Sequence, residues 1–408
     1  MSSQREDPRS TAASRAFSIA APILLSAALV CPAAEPGPPS PAAGAPGRTS
    51  SGAAVPASPA PASPAPAPPA PAPTPPPPPA APPPAAAPVL SFAWVSDLHL
   101  DAATLESARA AFRWIDETLA PDFVLFTGDN NSMPAPPRSP AAPEPQGVRR
   151  HRFFKEFLAA HLRAPAVVIP GDNWPDGFDQ VFGASQRSFD CAGLHFLLLA
   201  PDRSCKQAGM EGLSVFDAGT LAWVRKDLEA NRDKPTVAAI HEPIHPPSFL
   251  DAILMRRLLA PHPQVLAVFQ GHIHVEMNLA ADGKAYLTAP ALKPSAAPAL
   301  KQVLVFPDRL AVRTFARDPR TGAFAPPGRD RNIAVPPALG ARLRRPEGGF
   351  RMENHDEVPP HPHVDDPSLA ARKWEFLRNL SEFLDGDVRP SAEKSPPAEA
   401  EPPAEQGR

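Results

Sequence analysis

Short apolar runs recur along the middle of the chain, each bounded by proline, glycine or polar residues. Val89-Leu90-Ser91-Phe92-Ala93-Trp94-Val95 reads as a buried strand, as do Phe123–Phe126, Ala166–Ile169, Leu194–Leu199, Val237–Ile240 and Val265–Phe269. Between them the apolar positions change to a helical period. Ala108, Ala111, Phe112, Ile115 and Leu119 mark a helix over Leu105–Leu119, and Phe153, Phe154, Phe157 and Leu158 mark a second. Further helices are predicted near Leu221–Ala230 and Phe249–Leu258. Strands alternating with helices predict an α/β layered fold. Beyond Tyr286 the texture turns to strand and turn, and Val303–Phe306 and Leu310–Val312 flank Pro307-Asp308 as a hairpin. A last helix, amphipathic, is predicted over Asp366–Leu384 through Leu369, Trp374, Phe376, Leu377, Leu380, Phe383 and Leu384.

Composition shortens the folded part. Of 408 residues 62 are proline, and the stretch from Cys31 to Pro88 is mostly proline and alanine, with too little apolar surface to offset the entropy of ordering it. What remains between it and the charged, Pro-rich tail is about 230 residues, room for one sizeable core. The expected division is a leader over 1–34, a disordered Pro/Ala-rich linker over 35–88, a folded domain over 89–317, and a tail over 318–408 that carries the amphipathic helix near 366–384.

In the leader, Arg5, Arg9 and Arg15 precede an apolar run from Ala16 to Val30, the pattern of an export signal and short for a membrane span. Cys31 fits lipid attachment and Ala33 or Ala34 fits cleavage. The expected location is therefore periplasmic, cell-surface or extracellular, with a membrane tether through the N-terminus as one alternative. An extended linker would then reach about 180 Å. In an oxidising compartment Cys191 and Cys205 either close one disulfide or remain buried thiols. A net charge of -3 without a long basic run argues against nucleic acid as an obligatory partner. Small anionic substrates stay compatible with it, because a bound metal supplies positive charge locally.

The chemistry gathers where strands end. Asp97-Leu98-His99 follows the first strand, Gly128-Asp129-Asn130-Asn131 the second and Gly171-Asp172-Asn173-Trp174 the third. His241-Glu242-Pro243 and Gly271-His272-Ile273-His274 follow two later ones. Loops at the carboxyl ends of strands converge on one crevice in open α/β sheets, so three aspartates and four histidines are expected to be neighbours. Imidazole with carboxylate suits Zn, Mn or Fe better than Mg or Ca.

This ordered set resembles the calcineurin-like metallophosphoesterases, over Val89 to about Ala316. The resemblance implies an αββα sandwich, two divalent metal ions (Mn, Fe or Zn) and a small phosphate-ester substrate. It implies hydrolysis of mono- or diesters by a hydroxide between the ions, which clamp the phosphoryl oxygens and acidify water. By the same resemblance Asp97, His99 and His274 would hold one ion, Asp172, His241 and His272 the other, and Asp129 would bridge them. The third block departs from the family pattern: Asp172 stands where an asparagine ligand is usual, and Asn173 where a histidine assists catalysis. Slow turnover, or substrates with good leaving groups, would follow. His245, four residues after His241, is a candidate substitute for the missing imidazole. The purple acid phosphatase branch is excluded, since its metal-binding tyrosine would fall on Ser132. Trp174 and Trp223 read as core or pocket wall, the Pro134–Pro145 insertion and the Asp176–Ala192 loop as pocket rim, Asn354-His355-Asp356 as a chance echo of the missing string, and His361 and His363 as solvated.

Overall fold

Two sheets are built from the apolar runs. The computed structural model describes residues 87–133, 144–173, 175–201, 214–293, 298–325, 328–345, 347, 350–357 and 369–384. The leader and nearly all of the linker, Cys31, Cys205, Trp174, most of the Pro134–Pro145 insertion, His361 and His363 lie outside them. The strands are β1 (Leu90–Val95), β2 (Phe123–Thr127), β3 (Ala166–Ile169), β4 (Arg187–Cys191), β5 (Leu194–Leu198), β6 (Thr236–Ala239) and β7 (Val265–Gln270). They continue as β8 (Met277–Ala281), β9 (Lys284–Thr288), β10 (Ala299–Phe306), β11 (Arg309–Ala316), β12 (Arg331–Ala334) and β13 (Glu353–Glu357). The helices are α1 (Leu105–Trp114, continued by a wider turn to Leu119), α2 (Gln146–His161), α3 (Asp179–Phe182), α4 (Ala218–Ala230), α5 (Ala252–Leu259), α6 (Pro337–Gly340) and α7 (Leu369–Leu384).

One sheet has the order β12-β11-β10-β1-β2-β3 and the other β13-β4-β5-β6-β7-β9-β8. Phe92, Trp94, Phe123, Phe189, Phe196 and Phe269 fill the layer between them. Rings in that layer pack closely: Trp94 of the first sheet lies 4.6 Å from Phe269 of the second, tilted by 31°. Full burial of each such side chain is worth about 1.5–3 kcal/mol. The outer face of the first sheet packs on α1 and α2 through Phe112, Phe126 and Phe154. That of the second packs on α4 and α5 through Leu228, Met255 and Val268. Helix, sheet, sheet, helix is the expected αββα sandwich.

Five strands, β4, β8, β9, β12 and β13, fall outside the predicted runs. Residues 176–192, expected as a rim loop, contain α3 and β4. In β4 the polar Ser188 and Asp190 are buried, which breaks the apolar signal. They are satisfied by a polar network: His195 Nδ1 is 2.6 Å from Asp190 and its Nε2 2.8 Å from Asp227, which also accepts from Ser188 at 2.8 Å. The strands β12 and β13 lie beyond the expected domain end at residue 317 and form an edge of each sheet. Asn354-His355-Asp356 is part of β13, with Asn354 opposite Phe189 of β4. Helix α7 meets α5 through Glu375 and Arg257 at 3.0 Å, while Trp374 stays 71% exposed. Among the described residues no helix is long and apolar enough to cross a membrane.

Candidate metal centre

The parallel strands β1, β2, β3, β6 and β7 release their chains at one end of the sandwich, so five loops meet across the two sheets. Asp97, His99, Asp129 and Asp172 come from the first sheet, and His241, His272 and His274 from the second. Five of these seven have left-handed backbone: Asp97 (φ 51°), His99 (42°), Asp129 (48°), His272 (72°) and His274 (58°). Each such residue costs on the order of 1–3 kcal/mol. Repetition of that cost at one place marks a built site rather than a set of turns. The approach of the loops is equally tight. A methyl carbon on Gly171 would stand 2.0 Å from Asp129 Oδ1, so only glycine lets the third block lie against the second.

The side chains fall into two groups that share a middle. In one, His274 Nε2 lies 3.2 Å from both Asp97 Oδ1 and His99 Nε2. In the other, Asp172 Oδ1 lies 3.0 Å from His241 Nε2 and 3.1 Å from His272 Nδ1. Asp129 faces both, its Oδ2 at 3.5 Å from His99 Nε2 and its Oδ1 at 3.6 Å from His241 Nε2. Donor atoms of Asp97, Asp129 and His241 also lie close enough together to hold an ion.

What surrounds the groups aims them inward. His241 Nδ1 donates to the Thr127 carbonyl at 2.7 Å, so Nε2 is the ring nitrogen turned to the carboxylates. Asp97 Oδ2 accepts from Ser96 Oγ at 2.6 Å and from the His272 backbone at 2.9 Å. Its other oxygen, Oδ1, is buried without a well-aligned hydrogen bond, although three imidazoles face it. A buried carboxylate oxygen ringed by imidazole nitrogens, without a good hydrogen bond, fits a cation.

Titration follows from the same crowding. Burial pushes the Asp97 carboxyl up, but the His241 and His274 imidazoles and the Ser96 hydroxyl outweigh it and hold the group below its ordinary value. Asp172 is likewise lowered, burial being overcome by His241 and His272. Burial pulls His241 down, but Asp129 and Asp97 raise it well above the usual imidazole value. His272 is raised against its burial by Asp172. His99 is lowered, by burial first and despite Asp129, with Lys293 adding to the effect. Four of the seven candidates, two carboxylates and two imidazoles, are therefore biased toward mutual charge in the metal-free protein.

The two candidate catalytic residues go to different places. Asn173 stands at the centre, but its role there is to hold Asp129: its backbone nitrogen donates to Asp129 Oδ1 at 3.0 Å and its amide to Oδ2. His245 joins none of the metal-binding groups among the described residues. It is buried with its ring 5.2 Å from Tyr286 and its Nδ1 3.4 Å from Arg256. Burial, and then the Arg256 charge, lower its pKa to about 4. Its backbone is gripped by the Gln270 side chain on both nitrogen and oxygen, and its ring packs between Tyr286 and Arg256 of α5. Ser96 and Thr127 orient ligands, and their sequence signal is only a position one residue before the Asp97 and Gly128 motifs.

Residues 90–276 match the family model described as calcineurin-like phosphoesterase. No curated protein matches the chain. Among solved structures, a dimetal phosphatase from Danio rerio is 13% identical with a TM-score of 0.47, covering 60% of this chain and 99% of its own. The inner-membrane-complex anchor GAP50 of Plasmodium is 11% identical with a TM-score of 0.44, covering 64% of this chain and 98% of its own. A Zn-complexed Vps29 from Entamoeba histolytica is 13% identical with a TM-score of 0.28, covering 60% and 99%.

Proposed function

We propose, from the match of residues 90–276 to the calcineurin-like phosphoesterase family, that the protein hydrolyses phosphate mono- or diesters with two divalent ions, Mn, Fe or Zn. The observation that carries the reading is Asp129, whose two oxygens face separate groups, one with Asp97, His99 and His274 and one with Asp172, His241 and His272. Two cations so close repel, and a shared carboxylate offsets that repulsion where a neutral imidazole cannot.

When bound there, the ions supply charge stabilisation of the phosphoryl oxygens and acidify water. The chain's residues do the rest. Thr127 fixes the His241 tautomer, Ser96 and the His272 amide fix the Asp97 rotamer, and Asn173 holds both oxygens of Asp129. With three carboxylates the centre carries one positive charge less than a two-carboxylate set, which weakens its hold on anionic esters. Asn173 has no proton to give at neutral pH, and general acid catalysis typically contributes about 10²- to 10⁴-fold. Esters of acidic alcohols and phenols, which leave without protonation, are the favoured substrate class. The basic and apolar leader supports export of the protein.

The engagement of the Asn173 amide with Asp129 favours a second reading, a metal- or ligand-binding protein of the same fold with little turnover. The full chain, loaded with Mn or Zn and assayed on aryl and alkyl mono- and diesters beside Asp129→Asn, separates the two. Hydrolysis lost in the variant supports the enzyme. Equal rates on every substrate overturn it and leave the second reading.

A further inference from the structure

We propose that Lys301, with Glu276 and Thr314, is a positioning device for the metal ligand His274, an inference that rests on the dinuclear reading above. Lys301 is a lysine in the core, 1% exposed. It sits in β10 opposite Trp94 of β1 and Thr314 of β11. All three belong to the first sheet. Its Nζ lies 5.9 Å from the Trp94 ring, so the side chain runs into the layer between the sheets. There it donates to Glu276 Oε1 at 2.6 Å and to Thr314 Oγ1 at 2.8 Å, and Thr314 Oγ1 donates to the same Glu276 oxygen at 2.8 Å.

Glu276 immediately precedes β8 of the second sheet and lies two residues after His274. The loop from Gly271 to Glu276 is thus tied to the first sheet at both ends: at its start by the His272 amide on Asp97 Oδ2 at 2.9 Å, at its end by Glu276 on Lys301. His274 lies between the ties in a left-handed backbone, φ 58°, a conformation that persists only when its surroundings impose it. Its metal partners, Asp97 and His99, are on the first sheet. Any sliding of one sheet over the other therefore opens this group.

The pair is half-buried, with the Lys301 side chain 1% and that of Glu276 38% exposed, and taking the ammonium out of water offsets much of what it contributes to stability. The pair is well suited to registering two sheets, because its geometry is directional where packed hydrocarbon is not. Groups that orient ligands from behind typically change metal affinity about 10- to 100-fold when removed.

The test is Mn(II) binding to the full chain by calorimetry and elemental analysis, with electron paramagnetic resonance to detect coupled ions, for the parent, Lys301→Met, Lys301→Arg, Glu276→Gln and His274→Ala. The parent is expected to hold two Mn with a coupled signal. Lys301→Met and Glu276→Gln should weaken one site about 10- to 100-fold, leave the other within threefold and lose the coupled signal, as His274→Ala does. Lys301→Arg should restore most of the loss. A parent holding fewer than two Mn overturns the metal-centre reading and the proposal with it. A two-Mn parent whose Lys301→Met variant also keeps both sites overturns the positioning role alone, as does parallel loss of both sites with a lower melting temperature of the metal-free chain.

Discussion

Replacing Gly171 by alanine is the sharpest probe of how closely the loops are packed. The added carbon would stand 2.0 Å from Asp129 Oδ1 and 2.3 Å from the Asp129 backbone nitrogen, where ordinary contact begins at 3.4 Å. The carboxylate can turn away, but the backbone nitrogen cannot. The segment bearing Asp172 and Asn173 must therefore move about 1.1 Å away from the segment bearing Asp129. That motion separates Asp172 from His241 and His272 and breaks the Asn173 bonds that orient Asp129. A misplacement of about 1 Å typically costs about 100-fold in rate, or about 2.7 kcal/mol in transition-state stabilisation. The assay is kcat/KM on an aryl phosphate ester with metal content measured on the same samples. Gly328→Ala serves as the control, since a carbon there meets nothing within 4 Å. A Gly171→Ala protein with full metal content and kcat/KM within threefold of the parent would refute the reasoning.

Asn173→His places an imidazole where the family resemblance implies one and should raise turnover on alkyl esters more than on aryl esters; unchanged or lower alkyl turnover, measured side by side, counts against the proton-donor argument. His195 tests pH dependence away from the centre. Burial lowers its pKa, but Asp190 and Asp227 outweigh burial and raise it above 6.5. Its imidazolium therefore stabilises the fold fully below pH 6.5 and less as pH rises through the raised folded value. Denaturant titrations of metal-free parent and His195→Gln should differ by about 3–5 kcal/mol at acidic pH and by less at alkaline pH, and a pH-independent gap would contradict the assignment. Burial pushes the Cys191 thiol up to about 12. In a Cys31→Ser, Cys205→Ser background Cys191 should resist alkylation at pH 8 in the native protein and react once unfolded, as mass spectrometry would report.

Five short motifs at strand ends were readable because each is local: an apolar run of four to seven residues followed within a few positions by an aspartate or histidine. Their order along the chain implied the crevice, and periodicity implied the helices on its outer faces. The strand β4 stayed hidden because Ser188 and Asp190 satisfy each other's surroundings through His195 and Asp227, which no local pattern records. The edge strands β12 and β13 stayed hidden because an edge needs little apolar character to pair.

The sequence by itself determined the layered α/β class and the donor types, since these depend on residue identity and on periods of two or 3.6 positions, while the αββα sandwich and the missing imidazole at Asn173 were implied by the family resemblance. Only the tertiary structure decided that Asn173 holds Asp129, that His245 packs on Tyr286 instead of joining the centre, and that Lys301 ties His274 to the opposite sheet. Those outcomes depend on which atoms two sheets bring within hydrogen-bonding distance. Such contacts join residues far apart in the chain, where neither spacing nor composition carries a signal.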